Sequence, residues 1–259
     1  MPRALGGTPG TVAATEKEIK DAGGQGIGLV CDHHQDEQVA AVFKRIQDED
    51  GRLDILVNNA TAEMSAMVGQ PFWELPISLW DDLIGVGLRS HYVASWHAAP
   101  MMIAQSGGLI INVSSHGSRE YLMGTAYGVG KAGVEKLTKD TAHELRKHGV
   151  AVMSIWPGMV KSENRMVMAE ETEDGRMELF GLDLSFAETP HFPGRGVVGL
   201  ACDPDPMSKS GQYFWTADLA REYGFTDIDG SLPDAEKLHQ QLLKGAPEFW
   251  KDVLGGRQE

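Results

Sequence analysis

The sequence predicts an α/β fold built around a doubly wound parallel sheet, and three observations carry that prediction. The run Gly108-Leu109-Ile110-Ile111-Asn112-Val113 is short, β-branched and continuous rather than alternating, the pattern of a strand buried on both faces, and it ends in the hydroxyls of Ser114 and Ser115. From Ala126 to Lys147, the apolar residues Val129, Ala132, Val134, Leu137, Ala142 and Leu145 recur at three- and four-residue steps, the period of an amphipathic helix. Gly149 is a suitable stop for that helix, and Val150 to Trp156 follows as another apolar strand. In open α/β sheets made of such units, ligands bind at the C-terminal edge of the strands.

The remaining elements read in order along the chain. Thr11 to Ala22 is a helix closed by Gly23-Gly24, and Gly26 to Cys31 is a strand. Gln35 to Asp48 is a helix leading into Gly51-Arg52-Leu53, and Asp54 to Asn58 is the next strand. Leu79 to Ala104 is a long helix broken by Gly85, Gly87 and Pro100. Between Ser162 and Pro193 strand character is lost, and Met166, Met168, Met177, Leu179, Phe180, Leu182, Leu184 and Phe186 stand among acids. Flexible thioethers and aromatics suit an apolar or bulky substrate, and they are also ordinary gap fillers. Gly211 to Trp215 reads as the last strand, Asp218 to Gly230 as a polar turn, and residues 233–254 as a C-terminal amphipathic helix through Leu238, Leu242 and Leu243. The expectation is a single domain over residues 1–259.

Composition narrows the function classes. A formal net charge of -14 argues against nucleic acid or an anionic membrane as partner, since both need basic patches. Two cysteines, Cys31 and Cys202, give no disulfide framework and fit a reducing compartment. No positive region followed by an apolar stretch opens the chain, so a cytoplasmic location is expected. The pair His33-His34 has no spaced third ligand and reads as a solvated loop rather than a metal site.

The chemistry is concentrated in Tyr127-Gly128-Val129-Gly130-Lys131. Tyr127 and Lys131 are four residues apart and share one helix face. A nearby ammonium lowers a phenol's pKa, which would let Tyr127 exchange a proton near neutrality. The spacing is common in helices, so it needs support from elsewhere in the chain.

That support comes from four ordered motifs. Asp54-Ile55-Leu56-Val57-Asn58-Asn59-Ala60, Ser115 followed by Tyr127 and Lys131, Pro157-Gly158-Met159-Val160-Lys161-Ser162 after a strand, and Cys31-Asp32 after another together resemble the short-chain dehydrogenase/reductase family. The resemblance runs from about Thr11 to about Gly230, with Thr61 in place of the glycine of an Asn-Asn-Ala-Gly motif. It implies a Rossmann-like fold and hydride transfer between NAD or NADP and a carbonyl or alcohol substrate. Tyr127 would be the acid or base, Lys131 would lower its pKa and hold the nicotinamide ribose, and Ser115 would hydrogen-bond the substrate oxygen, with Ser114 as the alternative. Asp32 would contact adenine, Asn58, Asn59 and Ala60 would line the adenosine side, and Val160 and Ser162, set by Pro157 and Gly158, would meet the nicotinamide carboxamide. Residues 163–193 would form a mobile substrate lid. The long helix and the Tyr-Lys helix would make the faces of a homodimer or homotetramer; exposed apolar sides that include Val134 and Leu137 would allow this, and plain core packing would explain them too.

The chain departs from the family pattern twice. Trp80-Asp81-Asp82-Leu83-Ile84-Gly85-Val86-Gly87 puts Gly87 where the family has a relay asparagine, a run shared with a subgroup resembling dehydrogenase/reductase member one. Only five residues precede Gly6-Gly7-Thr8-Pro9-Gly10, too few for the strand before a phosphate loop, so the first two strands of the family sheet and the glycine loop between them are expected to be missing. Gly194-Arg195-Gly196-Val197-Val198-Gly199 matches a dinucleotide motif literally, yet two prolines precede it, so it reads as the opening of a surface helix. The alternative reading is therefore a truncated, non-catalytic relic, or a fragment with a misassigned start, with weak or no cofactor binding.

Overall fold

The computed structural model describes residues 10–62, 70–179 and 181–238. The Gly6–Pro9 portion of the glycine-rich opening, Phe180, and the predicted helix beyond Leu238 lie outside the described residues.

The elements are α1 (Val12–Asp21), α2 (Asp36–Glu49), β1 (Ile55–Asn58), α3 (Ser78–Ile84), a π-helical turn over Gly85–Arg89, α4 (Ser90–Ala104), β2 (Gly108–Val113), α5 (Thr125–Leu145), β3 (Val150–Trp156), α6 (Glu163–Met168), β4 (Glu170–Glu171), β5 (Met177–Leu179), β6 (Leu182–Asp183), α7 (His191–Ala201), α8 (Pro206–Lys209), β7 (Tyr213–Trp215) and α9 (Thr216–Tyr223). The main sheet has the order β1-β2-β3-β7, and every pairing in it is parallel. All seven residues of β3 are buried, as a strand covered by helices on both faces requires. One core layer joins Val39 and Phe43 of α2 to Ala94, Ala98 and Met102 of α4 and to Ile110, Val150 and Val152 of the sheet. The opposite face packs Ile111, Met153 and Ile155 against Leu200 of α7 and Leu219 of α9. Gly149 sits in the left-handed region at φ 73°, which turns the chain from the end of α5 directly into β3.

Four sequence expectations need correction. Gly26 to Cys31 forms no strand: the Gly28 amide donates to Glu16 Oε2 of α1 at 2.9 Å, and Ile27 and Val30 are 61% and 64% exposed. Alternation of residue types cannot supply a ladder partner, and this segment leans on α1 instead. Residues 163–193 do carry strands, because β4, β5 and β6 form a small antiparallel sheet. The polar stretch from Asp218 begins as helix α9, whose Leu219 and Ala220 are buried in spite of their charged neighbours. Val134 is completely buried, so it belongs to the core and not to an exposed face of α5.

The literal Gly-x-Gly-x-x-Gly motif lies inside α7, with Gly196 buried against Leu219 and Phe225. Among the described residues β1 is an edge strand. Ile55 and Val57 are 40% and 42% exposed, and a cavity of about 860 Å³ extends from β1 to α1, α2 and the Ile27–Leu29 segment. Among the described residues no helix is long and apolar enough to cross a membrane.

Candidate active site

The C-terminal ends of β2 and β3 lie side by side, since Val113 is in register with Ile155. β2 therefore delivers Ser114 and Ser115 to the edge where β3 delivers Pro157 and Gly158. Asn112 anchors this edge: buried completely, its Nδ2 donates to Thr138 Oγ1 at 2.9 Å, and its Oδ1 accepts from Asn58 Nδ2 at 2.8 Å. Asn58 also donates to Ser95 Oγ at 3.1 Å and to the His91 carbonyl at 3.4 Å. Asn58 thus ties β1, β2 and α4 together and has no donor left over for a ligand.

α5 starts just after Gly124 and brings Tyr127 over Ser115. The Tyr127 hydroxyl donates to Ser115 Oγ at 2.9 Å, and the Gly117 amide donates to the same oxygen at 3.2 Å. Ser114 turns away and donates to the Lys131 carbonyl at 3.4 Å. Lys131, one turn along α5, has its Nζ 5.8 Å from the Tyr127 ring centre and donates to the Val113 carbonyl at 3.0 Å. Beneath it Glu135 Oε1 accepts from Ser154 Oγ and Trp156 Nε1, both at 2.7 Å, which fixes α5 against β3.

Electrostatically, the pair differs from the sequence expectation. Burial pushes the Tyr127 phenol above its ordinary value, an effect that the Ser115 hydrogen bond and the charge of Arg165 only partly offset. Burial lowers Lys131 to about 8, against an opposing pull from Glu135. Arg165 of α6, the last and smallest of the influences on Tyr127, has no sequence motif to mark it.

Gly87 is buried within the π-helical turn, where adjacent glycines let the helix widen by a residue. One turn further on, the His91 ring is 1% exposed and meets the Ala60 carbonyl through Nε2 at 3.2 Å, while its Nδ1 has no partner among the described residues. Burial, followed by the charge of Lys131, lowers its pKa to about 4, so the ring is neutral at pH 7.

On the β3 side, the Gly158 amide donates to Glu188 Oε1 at 2.8 Å, and Thr216 Oγ1 donates to the same oxygen at 2.5 Å. The backbone of Glu188 pairs with the Met159–Lys161 turn through bonds of 2.8 and 2.7 Å. A Cβ on Gly158 would stand 2.9 Å from Glu188 Oε1, so only glycine permits this approach. Val160 and Ser162 are partly buried, and Ser162 forms the N-terminal cap position of α6. Asp32 and Asn59 are exposed, and Asp32 Oδ1 accepts from the His34 amide in its own turn. The structure brings Ser115, Tyr127, Lys131 and the Pro157–Ser162 turn to one sheet edge. Asp32 stands outside that cluster. Glu188, Arg165 and His91 belong to the cluster's surroundings, although none carries a spacing signal in the sequence.

Residues 4–173 match the family model described as short chain dehydrogenase. Dehydrogenase/reductase SDR family member 1 of Mus musculus is 43% identical over 227 residues, which are 85% of this chain and 72% of that relative. Among solved structures, a metagenomic short-chain oxidoreductase in complex with NADP aligns with a TM-score of 0.54 and 35% identity, covering 59% of this chain and 69% of that one. A putative dehydrogenase from Xanthomonas campestris shares the fold, with a TM-score of 0.72 at 23% identity over 90% of this chain and 82% of that one. With its parallel sheet, its ordered motifs and these similarities, the chain belongs to the short-chain dehydrogenase family.

Proposed function

We propose that the protein is an oxidoreductase that transfers a hydride between NAD or NADP and a carbonyl or alcohol substrate, with Tyr127 as proton donor in reduction and proton acceptor in oxidation. The observation that carries the reading is the 2.9 Å hydrogen bond from Tyr127 to Ser115 at the C-terminal sheet edge, one helical turn from Lys131. Ser115 Oγ already accepts from Tyr127 and Gly117, so both of its lone pairs are engaged and its own hydrogen is free to point at a substrate oxygen. The raised pKa keeps Tyr127 protonated at rest, ready to act as an acid. Arg165, together with Lys131 in its charged form, stabilises the phenolate left behind.

The residues fit the nicotinamide end of the cofactor. Lys131 Nζ uses one of its three N–H groups on Val113, leaving two for ribose hydroxyls, and the Val160–Ser162 turn would hold the carboxamide. When bound, the cofactor supplies the hydride. The NADP complex of the metagenomic oxidoreductase supports a nicotinamide nucleotide as ligand. The exposed Tyr92 and Trp96 of α4 and Val129 of α5 suit a homodimer face, and the free Cys31 and Cys202 suit the reducing cytoplasm. Residues 163–193, packed over Leu122 and Met123, would serve as the substrate lid within one catalytic domain.

A second reading, a non-catalytic family member that holds no cofactor, draws on the cavity beside the unpaired edge of β1. Fluorescence titration with NADH and NADPH separates the two: micromolar binding supports the first, and none supports the second. Turnover of ketones with either nucleotide then tests the chemistry. Tyr127→Phe should lower kcat/KM by about 100-fold or more, and retained activity would remove Tyr127 from its role.

A further inference from the structure

We infer that Glu188 is a positioning residue for the nicotinamide half of the cofactor: its carboxyl and its backbone lock the turn over residues 158–161 and leave the Val160 N–H unspent for the carboxamide. The inference rests on the oxidoreductase reading and adds a residue to its site.

Strand register brings the parts together. Trp156 of β3 is in register with Trp215 of β7, so Gly158 and Thr216, which follow those strands, leave the sheet as neighbours. Glu188 spans them, because its Oε1 accepts from the Gly158 amide at 2.8 Å and from the Thr216 hydroxyl. Its backbone takes the residues that come next. The Glu188 amide donates to the Met159 carbonyl at 2.8 Å, and the Lys161 amide donates to the Glu188 carbonyl at 2.7 Å, which makes a parallel bridge centred on Val160. In such a bridge the flanking residues make the bonds, and the central one turns its own groups to the opposite side. The Val160 carbonyl accepts there from the Ser162 amide at 2.8 Å and from Arg165 Nη1 at 2.9 Å, whereas its N–H has no partner among the described residues. One buried side chain and its own peptide groups thus fix Gly158, Met159 and Lys161, and with them the direction of Val160.

Folding alone does not call for a glutamate at this place. The residue is completely buried and its Oε2 has no partner among the described residues, so it carries an unsatisfied polar atom into the core. A methionine of similar length would fill the space without that cost, but it offers no acceptor to the Gly158 amide. What the acid supplies in return is a turn held in one conformation. A donor that is already ordered spares a ligand the entropy of ordering it.

The test compares nucleotides that differ at the nicotinamide. Calorimetric titration of the full chain with NADH and with ADP-ribose separates the carboxamide end from the adenosine end; NADPH and 2′-phospho-ADP-ribose take their place if NADPH binds more tightly. Glu188→Met should weaken the reduced nucleotide about fivefold or more and leave the ADP-ribose form within about twofold. Glu188→Gln keeps the accepting oxygen and should restore wild-type affinity within about twofold. Glu188→Asp, one methylene short of Gly158, should follow the Met variant and serves if that variant fails to fold. Without nucleotide, hydrogen exchange at the Gly158 and Lys161 amides should quicken about tenfold or more in the Met and Asp variants but not in the Gln variant. Unchanged affinity for the reduced nucleotide, equal weakening of both nucleotides, a Gln variant that behaves like Met, or unchanged exchange overturns the inference and leaves the oxidoreductase reading standing. A wild type that binds neither nucleotide defeats that reading and the inference with it, so the two failures are told apart.

Discussion

Replacing Glu188 by glutamine should remove a pH dependence of stability that the wild type carries. Glu188 is completely buried, its Oε1 accepts from Gly158 and Thr216, and its Oε2 has no partner among the described residues. Burial, with a further push from Asp227, raises its pKa to about 7, against opposing hydrogen bonds from Thr216 and Gly158. A folded pKa above the unfolded value means that the native state holds the proton more tightly. The stabilisation is complete below about 4.5 and is lost as pH rises through about 7. Integrating between those values, wild-type stability should fall by about 2.5 kcal/mol from pH 5 to pH 8 through this one group. Glutamine keeps the oxygen that accepts from Gly158 and Thr216, places an amide where the acid O–H stood, and does not titrate. Urea unfolding of both proteins at pH 5, 6, 7 and 8 isolates the effect, because every other group cancels in the difference between them. A difference that stays flat within about 0.5 kcal/mol would refute the reasoning, since Glu188 would then titrate where an exposed glutamate does.

Three further outcomes follow from neighbouring features. Asn58→Ala removes the amide whose two N–H groups are shared among Asn112, Ser95 and the His91 carbonyl and leaves the fully buried Asn112 Oδ1 without its donor, so urea denaturation should show a loss of about 2–3 kcal/mol. Gly158→Ala would drive a Cβ to 2.9 Å from Glu188 Oε1 and 3.1 Å from Ala235 Cβ, and should cost about 1–3 kcal/mol by the same measurement. Val57→Lys places a charge on the open edge of β1, where Val57 is 42% exposed, and should reduce concentration-dependent aggregation in light scattering while leaving the melting temperature within a few degrees.

The parts of the fold that were legible in the sequence are those written in local residue order. The continuous apolar run of β2 and the glycine-stopped helix α5 both announce themselves within their own segments. Tyr127 and Lys131 are likewise readable, because four residues is one helical turn. What failed depends on partners. Gly26 to Cys31 has strand composition, but a strand exists only through its neighbour, and this segment donates its Gly28 amide to a glutamate on α1. Val134 shares the period of Leu137, yet which of the two is fully buried depends on how α5 lies on the sheet. Glu188 is 30 residues from Gly158, and no rule of spacing joins an acid in a Glu-Thr-Pro sequence to the amide of a Pro-Gly turn.

The same dependence on partners governs the charge of the site, which the chain's net charge of -14 does not describe. At the sheet edge burial sets the protonation states. His91 is driven to about 4 and is neutral, Tyr127 is held protonated, and Glu188, at about 7, keeps its proton on a large share of molecules at neutral pH. Lys131, at about 8, still carries its charge there for the most part, and Arg165 carries its own. The site therefore holds a protonated phenol bonded to Ser115 beside a largely charged Lys131. On the proposed reading such a site favours oxygen that becomes negative during reaction. Its electrostatics oppose those of the surface around it because desolvation acts at ångström range, whereas the surface charge is screened within about 8 Å at physiological salt.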